Sequence, residues 1–341
     1  GDEELDVVNT SRSPALRRQV ARLGAKEPFR EAAKDMKELA GICLSRKDAE
    51  RIAEGVGENM ELWAKTERDS LRFMEPPPPE APKTIDTLYI EFDGTGVPMT
   101  KEEVAGRKGK QKDGSAKTRE AKLGCVFTQA IFDEKGRPIR DPNSTSFTGA
   151  IEIAAEFGWR IYAEAVRRGL FKAKRVVILS DGAEWIKTIV QTHFPGAIHI
   201  IDLYHAREHL IDLTKLLFDR DLKRRNQYKD RWWDDLDEGN VEKVIEEARS
   251  FLPKDLKAGK DARCAIGYFE KNKERMRYAQ FKTDGLFVGS GVIEAGCKSV
   301  IGQRLKQSGM EWTVRGANAI IALRCATVSG RDEDYWEQRA A

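Results

Sequence analysis

Residues 175–185 read RVVILSDGAEW, an apolar run that stops abruptly at Asp181-Gly182. A short apolar run closed by a turn dipeptide is the pattern of a strand buried on both faces, as at the centre of a largely parallel sheet. Working outward, TLYIEFDGTGVPM (87–99) alternates apolar and polar residues before breaking at Asp93-Gly94-Thr95-Gly96, and AIHIIDLYH (197–205) is a further apolar strand. REAKLGCVFTQAIFD (119–133) is rich in strand formers and 145–148 holds a short third strand. Residues 150–169 carry Ile151, Ala154, Ala155, Ile161, Ala165 and Val166 at helical spacing, and a shorter helix runs to about His193. The order βββαβαβ places the chain in the α/β class.

Helices flank this core. Leu16, Val20 and Leu23, then Ala33, Met36, Leu39 and Ala40, then Ile52, Val56, Met60 and Trp63 form successive helical stripes, the last opened by Ser45 as N-cap. Residues 1–74 thus read as an N-terminal helical domain for DNA contact, oligomerisation or packing. EPPPPEAPK (75–83) marks a stiff linker over 75–85, because four consecutive prolines continue neither a helix nor a central strand. From Ala206 to Phe281 the chain reads helical and charged, so 206–285 is an all-helical insertion between core segments 86–205 and 286–341. A long helix is expected from Val292 to about Gln307 and a last one over 312–328.

Composition narrows the function classes. The 341 residues are 40% hydrophobic and 34% charged, a profile for a folded globular chain rather than a disordered one. The net charge of +3 gives no global basicity, so a polyanion surface has to come from local clustering. Five scattered cysteines fit no zinc spacing and indicate reduced thiols in a cytoplasmic setting. No apolar run reaches the ~18 residues of a membrane span, and GDEELD at the start is no signal peptide. Gly1 leaves room for residues removed upstream.

Asp93 and Asp181 share one context: each ends an apolar strand and precedes Gly. In open α/β sheets chemistry gathers at the carboxyl ends of strands, and two neighbouring carboxylates there suit a hard cation such as magnesium. Asp-Gly is also a common turn dipeptide, so turn capping alone is the competing reading. Glu294 lies in SGVIEAGCKSVIGQRLK, where Ser290 is a candidate N-cap and Ile293, Cys297, Val300 and Ile301 form the buried stripe. That puts Glu294 at the stripe's edge, with Lys298 one turn further along. A lone helical Glu is ordinarily surface decoration; the approach through Gly289 and Gly291 lets this helix start close on another backbone.

The stretches EFDGTGVPM, GRKGKQKDGSAKTREAKLGCVFTQ, LSDGAEWI, IIDLYHAREHL and SGVIEAGCKSVIGQRLKQSGMEWTVRGANAIIALR resemble the ISKra-type insertion-sequence transposases of the acidic-triad (DDE) superfamily, over about residues 12–329. The resemblance implies a ribonuclease-H-like mixed sheet with flanking helices and a helical insertion before the helix bearing the last acid. It makes Asp93, Asp181 and Glu294 the catalytic, metal-holding triad, with Mg2+ or Mn2+ as cofactor. It further implies DNA as partner, both transposon ends and target, and a homodimer or higher homo-oligomer in the bacterial cytoplasm at the nucleoid. Cleavage without joining, or a catalytically silent DNA-binding descendant, are the alternatives. Family members often carry a Cys-rich, zinc-finger-like segment near the N-terminus, which this sequence lacks.

Other residues gather around these acids. The resemblance gives Asp202 and His205, in IIDLYH, an auxiliary active-site role; His205 and His209, one helical turn apart, also have zinc-like spacing but no third ligand. Arg107, Lys108, Lys110, Lys112, Lys117 and Arg119 follow Asp93 in a glycine-rich loop and are candidates for phosphate contact. Lys298, Arg304, Lys306, Trp312 and Arg315 form a second candidate DNA track, in which Trp312 either stacks a base or packs in the core. Of Trp232 and Trp233, in the helical insertion, one is expected to anchor the core and the other to insert at a transposon end.

Overall fold

The computed structural model describes residues 12–74, 83–253 and 259–340; the proline-rich stretch 75–82 lies outside the described residues. A five-stranded mixed sheet forms the centre, built from β1 (Ile85–Pro98), β2 (Thr118–Gln129), β5 (Ser146–Ala150), β6 (Ala173–Ser180) and β7 (Ile198–Ile201). The ribbon of β3 (Ile131–Phe132) and β4 (Pro138–Ile139) stands apart from it. Across the sheet the order is β5-β2-β1-β6-β7. β1, β6 and β7 run parallel, while β2 is antiparallel to both β1 and β5. The parallel half is where the apolar runs lie, as their two-faced burial requires.

Strand alternation sorts the residues of β1 between two cores. Leu88, Ile90 and Phe92 join Val126 and Ile178 beneath α5 (Ala154–Arg167) and α6 (Glu184–His193), packing on Phe157, Ile161, Ile186 and Ile189. Tyr89 faces the other side, with Leu123, Cys125, Phe127, Val177 and Leu179. That second core continues into α14 (Val314–Val328) and the N-terminal helices α1 (Pro14–Lys26), α2 (Phe29–Ala40) and α3 (Arg46–Leu71). Helices α3 and α14 cross so closely that a Cβ on Gly57 would lie 2.1 Å from the Ala319 carbonyl oxygen. Only glycine fits there.

An ion cluster ties α3 to α5. Arg160, 5% exposed, donates to Glu61 at 2.7 and 2.9 Å and to Glu152 at 2.6 and 3.0 Å. Burial raises the Glu61 carboxyl, but Arg160 and then Arg68 outweigh it and hold the group below its ordinary value.

Between β7 and the end of the core come α7 (Leu203–Leu217), α8 (Leu222–Asp237), α9 (Val241–Ser250), α10 (Lys260–Asn272) and α11 (Tyr278–Thr283). Trp232, fully buried, anchors this segment and donates its indole N–H to Glu247 at 2.7 Å. Trp233 is half-buried beneath the Arg207 guanidinium, 4.8 Å from its ring centre.

The helix expected at 292–307 is present but not uniform. It runs as α12 (Gly291–Gly296), a π-helical turn (Cys297–Gly302) and α13 (Gln303–Leu305). Two short helices have no counterpart in the sequence reading, α4 (Lys101–Val104) and α15 (Asp332–Ala340).

Candidate functional site

The sequence reading ended the first strand at Asp93, but β1 runs on to Pro98 because Asp93 through Pro98 stay paired with β2, Asp93 opposite Leu123. Strand register determines what meets where the parallel pairing of β1, β6 and β7 ends. Glu91 pairs with Leu179, so two residues further on Asp93 stands level with Asp181. Ser180 pairs with Ile201, which sets Asp181 level with Asp202. Neighbouring strands lie about 4.8 Å apart, so three aspartates line one sheet end. Burial pushes the Asp93 carboxyl above its ordinary value; the Gly94 amide, at 2.6 Å, opposes this, and the charge of Asp181 raises it further.

The sequence reading carried the last strand through His205, but β7 ends at Ile201. Asp202 stops it: its Oδ1 accepts from the His205 amide at 2.8 Å and caps α7. His205 therefore sits in the first helical turn, with Nδ1 3.5 Å from Glu208. Asp202 also reaches the start of the helix that bears Glu294, because its Oδ2 accepts from the Ser290 amide. Ser290 itself, the expected N-cap of α12, makes no side-chain capping bond.

Asp202, His205 and Glu294 each offer a ligand atom within 4.8 Å of the others, a group able to hold a metal ion. Asp93 and Asp181 stand outside that spacing, yet His205 and Asp181 both act electrostatically on Asp93. The donors are mostly carboxylate oxygens, those of Asp93, Asp181 and Asp202 held by backbone amides, and such hard donors fit Mg2+ or Mn2+ better than zinc. The zinc-like pair is not assembled: His209 stacks on Tyr268 at 3.9 Å, and among the described residues no ligand group includes it.

Several participants escaped the sequence reading. Glu91 is fully buried two residues before Asp93, on the same strand face, and its Oε2 accepts from the Ile293 amide at 2.8 Å. Burial pushes its carboxyl up to about 8. The period of two was the available signal. Cys297 places its sulfur 3.8 Å from Asp93 Oδ2, and burial pushes that thiol up to about 12. Tyr268 donates its hydroxyl to the Asp181 carbonyl at 3.3 Å. Behind it, the Arg275 guanidinium lies 3.5 Å from His199 Nδ1, and His199 Nε2 lies 2.8 Å from Ser180 Oγ. These last contacts join residues far apart in sequence and leave no local pattern.

The basic residues divide into two kinds. Arg107, Lys108, Lys110, Lys112 and Lys117 are exposed, and so is Lys298. Arg119 is half-buried and pairs with Glu103 at 3.4 Å. Lys306 donates to the Thr95 hydroxyl, and Arg315, 79% exposed, pairs with Glu58 at 2.7 Å. Arg304 and Trp312 have to be removed from the DNA track. Arg304 has no exposed surface, donates to the Gly24 carbonyl at 2.8 Å and lies against the rings of Phe29 and Trp312. Trp312 is 6% exposed and donates to the Leu305 carbonyl at 3.0 Å. A side chain so enclosed has no path to a phosphate or a base.

Residues 155–340 match the model of the Uncharacterised protein family (UPF0236), more than half of the chain. The chain belongs to the UPF0236 family. A curated UPF0236 protein of Streptococcus gallolyticus, encoded in the vanSb 3′ region, is 23% identical over 337 residues. That alignment covers 95% of this chain, which spans 65% of the relative's length. Among solved structures, the Drosophila P element transposase strand transfer complex aligns over all of this chain and 85% of that one. The TM-score is 0.28 and the identity 11%, too low for that likeness to bear on fold or activity in UPF0236. Among the described residues of this UPF0236 chain, no helix is long and apolar enough to cross a membrane.

Proposed function

We propose that this chain is a DNA transposase of ISKra-like type, with a ribonuclease-H-like core in which Asp93, Asp181 and Glu294 carry metal-dependent strand cleavage and strand transfer. The observation that carries this reading is the register of adjacent parallel strands, which continued two residues past Glu91 and Leu179 brings Asp93, inside β1, level with Asp181, just beyond β6. Further support comes from α12, whose first turn is tied to Glu91 and Asp202 so that Glu294 approaches from the helix side. The strand order, with its second strand antiparallel, supports the ribonuclease-H-like arrangement. On this reading 86–205 and 286–341 form the catalytic core, 206–285 the insertion, 1–74 an N-terminal helical domain and 75–85 the linker.

The reaction is in-line phosphoryl transfer. In cleavage water attacks phosphorus and the bond to the 3′ oxygen breaks, freeing a 3′-hydroxyl. In joining that hydroxyl attacks a target phosphate, forming one P–O bond as another breaks. Bound Mg2+ or Mn2+ supplies charge stabilisation for the attacking and leaving oxygens. The residues' share is placement: Asp93 within the paired strand β1, Asp181 in the turn after β6, Glu294 on a pinned helix, and the exposed basic residues at 107–117 along the DNA backbone. The protein acts in the cytoplasm as a homo-oligomer on paired ends.

The test is Mn2+-dependent cleavage and joining of a plasmid carrying the element's own flanking ends. Asp181→Asn and Glu294→Gln are each expected to abolish both products; either variant cutting at the wild-type rate would overturn the proposal. Nicks without joined products from the wild-type chain would favour a nuclease. The tight Asp202, His205 and Glu294 group supports a second placement of the ion, nearer His205. His205→Ala weakening Mn2+ binding more than Asp93→Asn does would select that placement.

A further inference from the structure

The first turn of a helix leaves four backbone N–H groups without carbonyl partners. In α12 these are not met by the cap residue, since Ser290 makes no side-chain capping bond. Two buried carboxylates, one within the sheet and one just past its last strand, take that part. Asp202, beyond β7, accepts from the Ser290 amide, and Glu91 of β1 accepts from the Ile293 amide at 2.8 Å. Both acids are 0% exposed. Glu91 also receives the Cys125 thiol at 3.9 Å, and its other oxygen has no hydrogen-bond partner among the described residues.

We infer that Glu91 is a positioning residue whose side-chain oxygen fixes the start of the Glu294 helix against strand β1. The spacing supports this role. Glu91 and Asp93 lie two residues apart on one strand face, and Ile293 and Glu294 are consecutive. This side-chain-to-amide bond thus ties the strand bearing Asp93 to the first turn of the helix bearing Glu294, with the longer Cys297–Asp93 contact of 3.8 Å one turn further along. Opposite Glu91 in register are the apolar Leu179 on β6 and Cys125 on β2, whose sulfur is at most a weak acceptor, so neither neighbouring strand offers a comparable replacement. A buried N–H that loses its acceptor is costly, and the helix start would shift to find another.

The role in metal placement rests on the function proposed for Glu294, but the amide bond can be tested without it. Hydrogen exchange resolved to single amides should show Ile293 protected at least about tenfold more than Gly291 and Val292, its neighbours in the same turn. Equal exchange at all three would overturn the inference in the wild-type protein alone. In Glu91→Leu the Ile293 protection should be lost, and in Glu91→Gln, which keeps a carbonyl oxygen there, it should be retained. Loss in both variants would make Glu91 a general packing residue and sink the proposal. Mn2+ titration of the folded chain provides the second readout, with the dissociation constant expected to rise about tenfold in Glu91→Leu. Unchanged Mn2+ affinity with lost protection would reject the metal-placing role. A wild-type chain that binds no Mn2+ would count against the function proposed for Glu294 and leave the amide result to decide the role of Glu91.

Discussion

The hydroxyl of Tyr268, on α10, donates to the backbone carbonyl of Asp181 at 3.3 Å while its ring lies on His209 at 3.9 Å. The helical segment thereby holds the turn that carries the second acid. Removing only the hydroxyl separates the two contacts. Tyr268→Phe should keep the stack, cost about 1 kcal/mol of stability and slow cleavage several-fold through a looser Asp181. Single-turnover rates beside urea denaturation would check this, and a wild-type rate with the stability loss would show that the bond supports folding alone.

Asp202 uses both oxygens on amides, His205 at one and Ser290 at the other. Asp202→Asn keeps one acceptor and points an NH2 group at a second N–H. Two donors facing each other in a buried place should cost about 1–3 kcal/mol. Denaturant midpoints for this variant and for Asp202→Ser would measure it; stability equal to wild type in the Asn variant would mean that Asp202 is not the cap described.

Glu61 and Arg160 carry a pH signature. Although burial pushes Glu61 upward, Arg160 holds its folded-state pKa below the ordinary 4.5. A depressed carboxyl contributes stability that is present above the unfolded pKa and lost as pH falls through the folded one. Thermal midpoints should therefore fall below about pH 4.5 more steeply in the wild type than in Glu61→Gln. At neutral pH Glu61→Ala should cost about 3–5 kcal/mol, because it leaves a buried guanidinium short of a partner. A neutral-pH loss under about 1 kcal/mol would show the pair to be effectively solvated.

Arg304 and the loop lysines should behave oppositely in DNA binding. Arg304→Met is expected to lower the melting temperature and leave the salt dependence of binding unchanged, since the side chain is enclosed. Replacing Lys108, Lys110 and Lys112 by Gln should leave folding intact. It should flatten the slope of log affinity against log salt by about 0.9 per lost phosphate contact. Fluorescence anisotropy over a salt series distinguishes these outcomes, and an unchanged slope in the triple variant would remove the loop from the DNA path.

Much of the sheet was legible in the sequence because apolar runs are local signals, but of the two Asp-Gly breaks only that at Asp181 ends a strand; at Asp93 the pairing with β2 carries β1 on to Pro98. The strand at 175–180, the turn at Asp181 and the helix through Glu294 follow from residue order alone. The end of β7 was not legible in that way. Asp202 reads as one polar residue in an apolar strand, and only its bonds to two amides reveal a cap. Arg304 misled for the opposite reason: in sequence it belongs to a basic series, but Phe29 and the Gly24 carbonyl, some 280 residues away, make it interior. Glu91 was readable through the strand period, yet its acceptor role depends on a helix 202 residues further along.

The π-helical turn at Cys297–Gly302 has a consequence for phase. At one end of its helix Ile293 is bound to β1, and at the other Arg304 is bound to the N-terminal helix α1. Each residue of a regular α-helix advances about 100° around the axis, and the wider turn absorbs roughly one residue of that advance. Without it, Glu294 and Arg304 could not both face their present neighbours. The turn works like a vernier between two fixed docking points, so the angular setting of Glu294 is written partly in the six residues from Cys297 to Gly302.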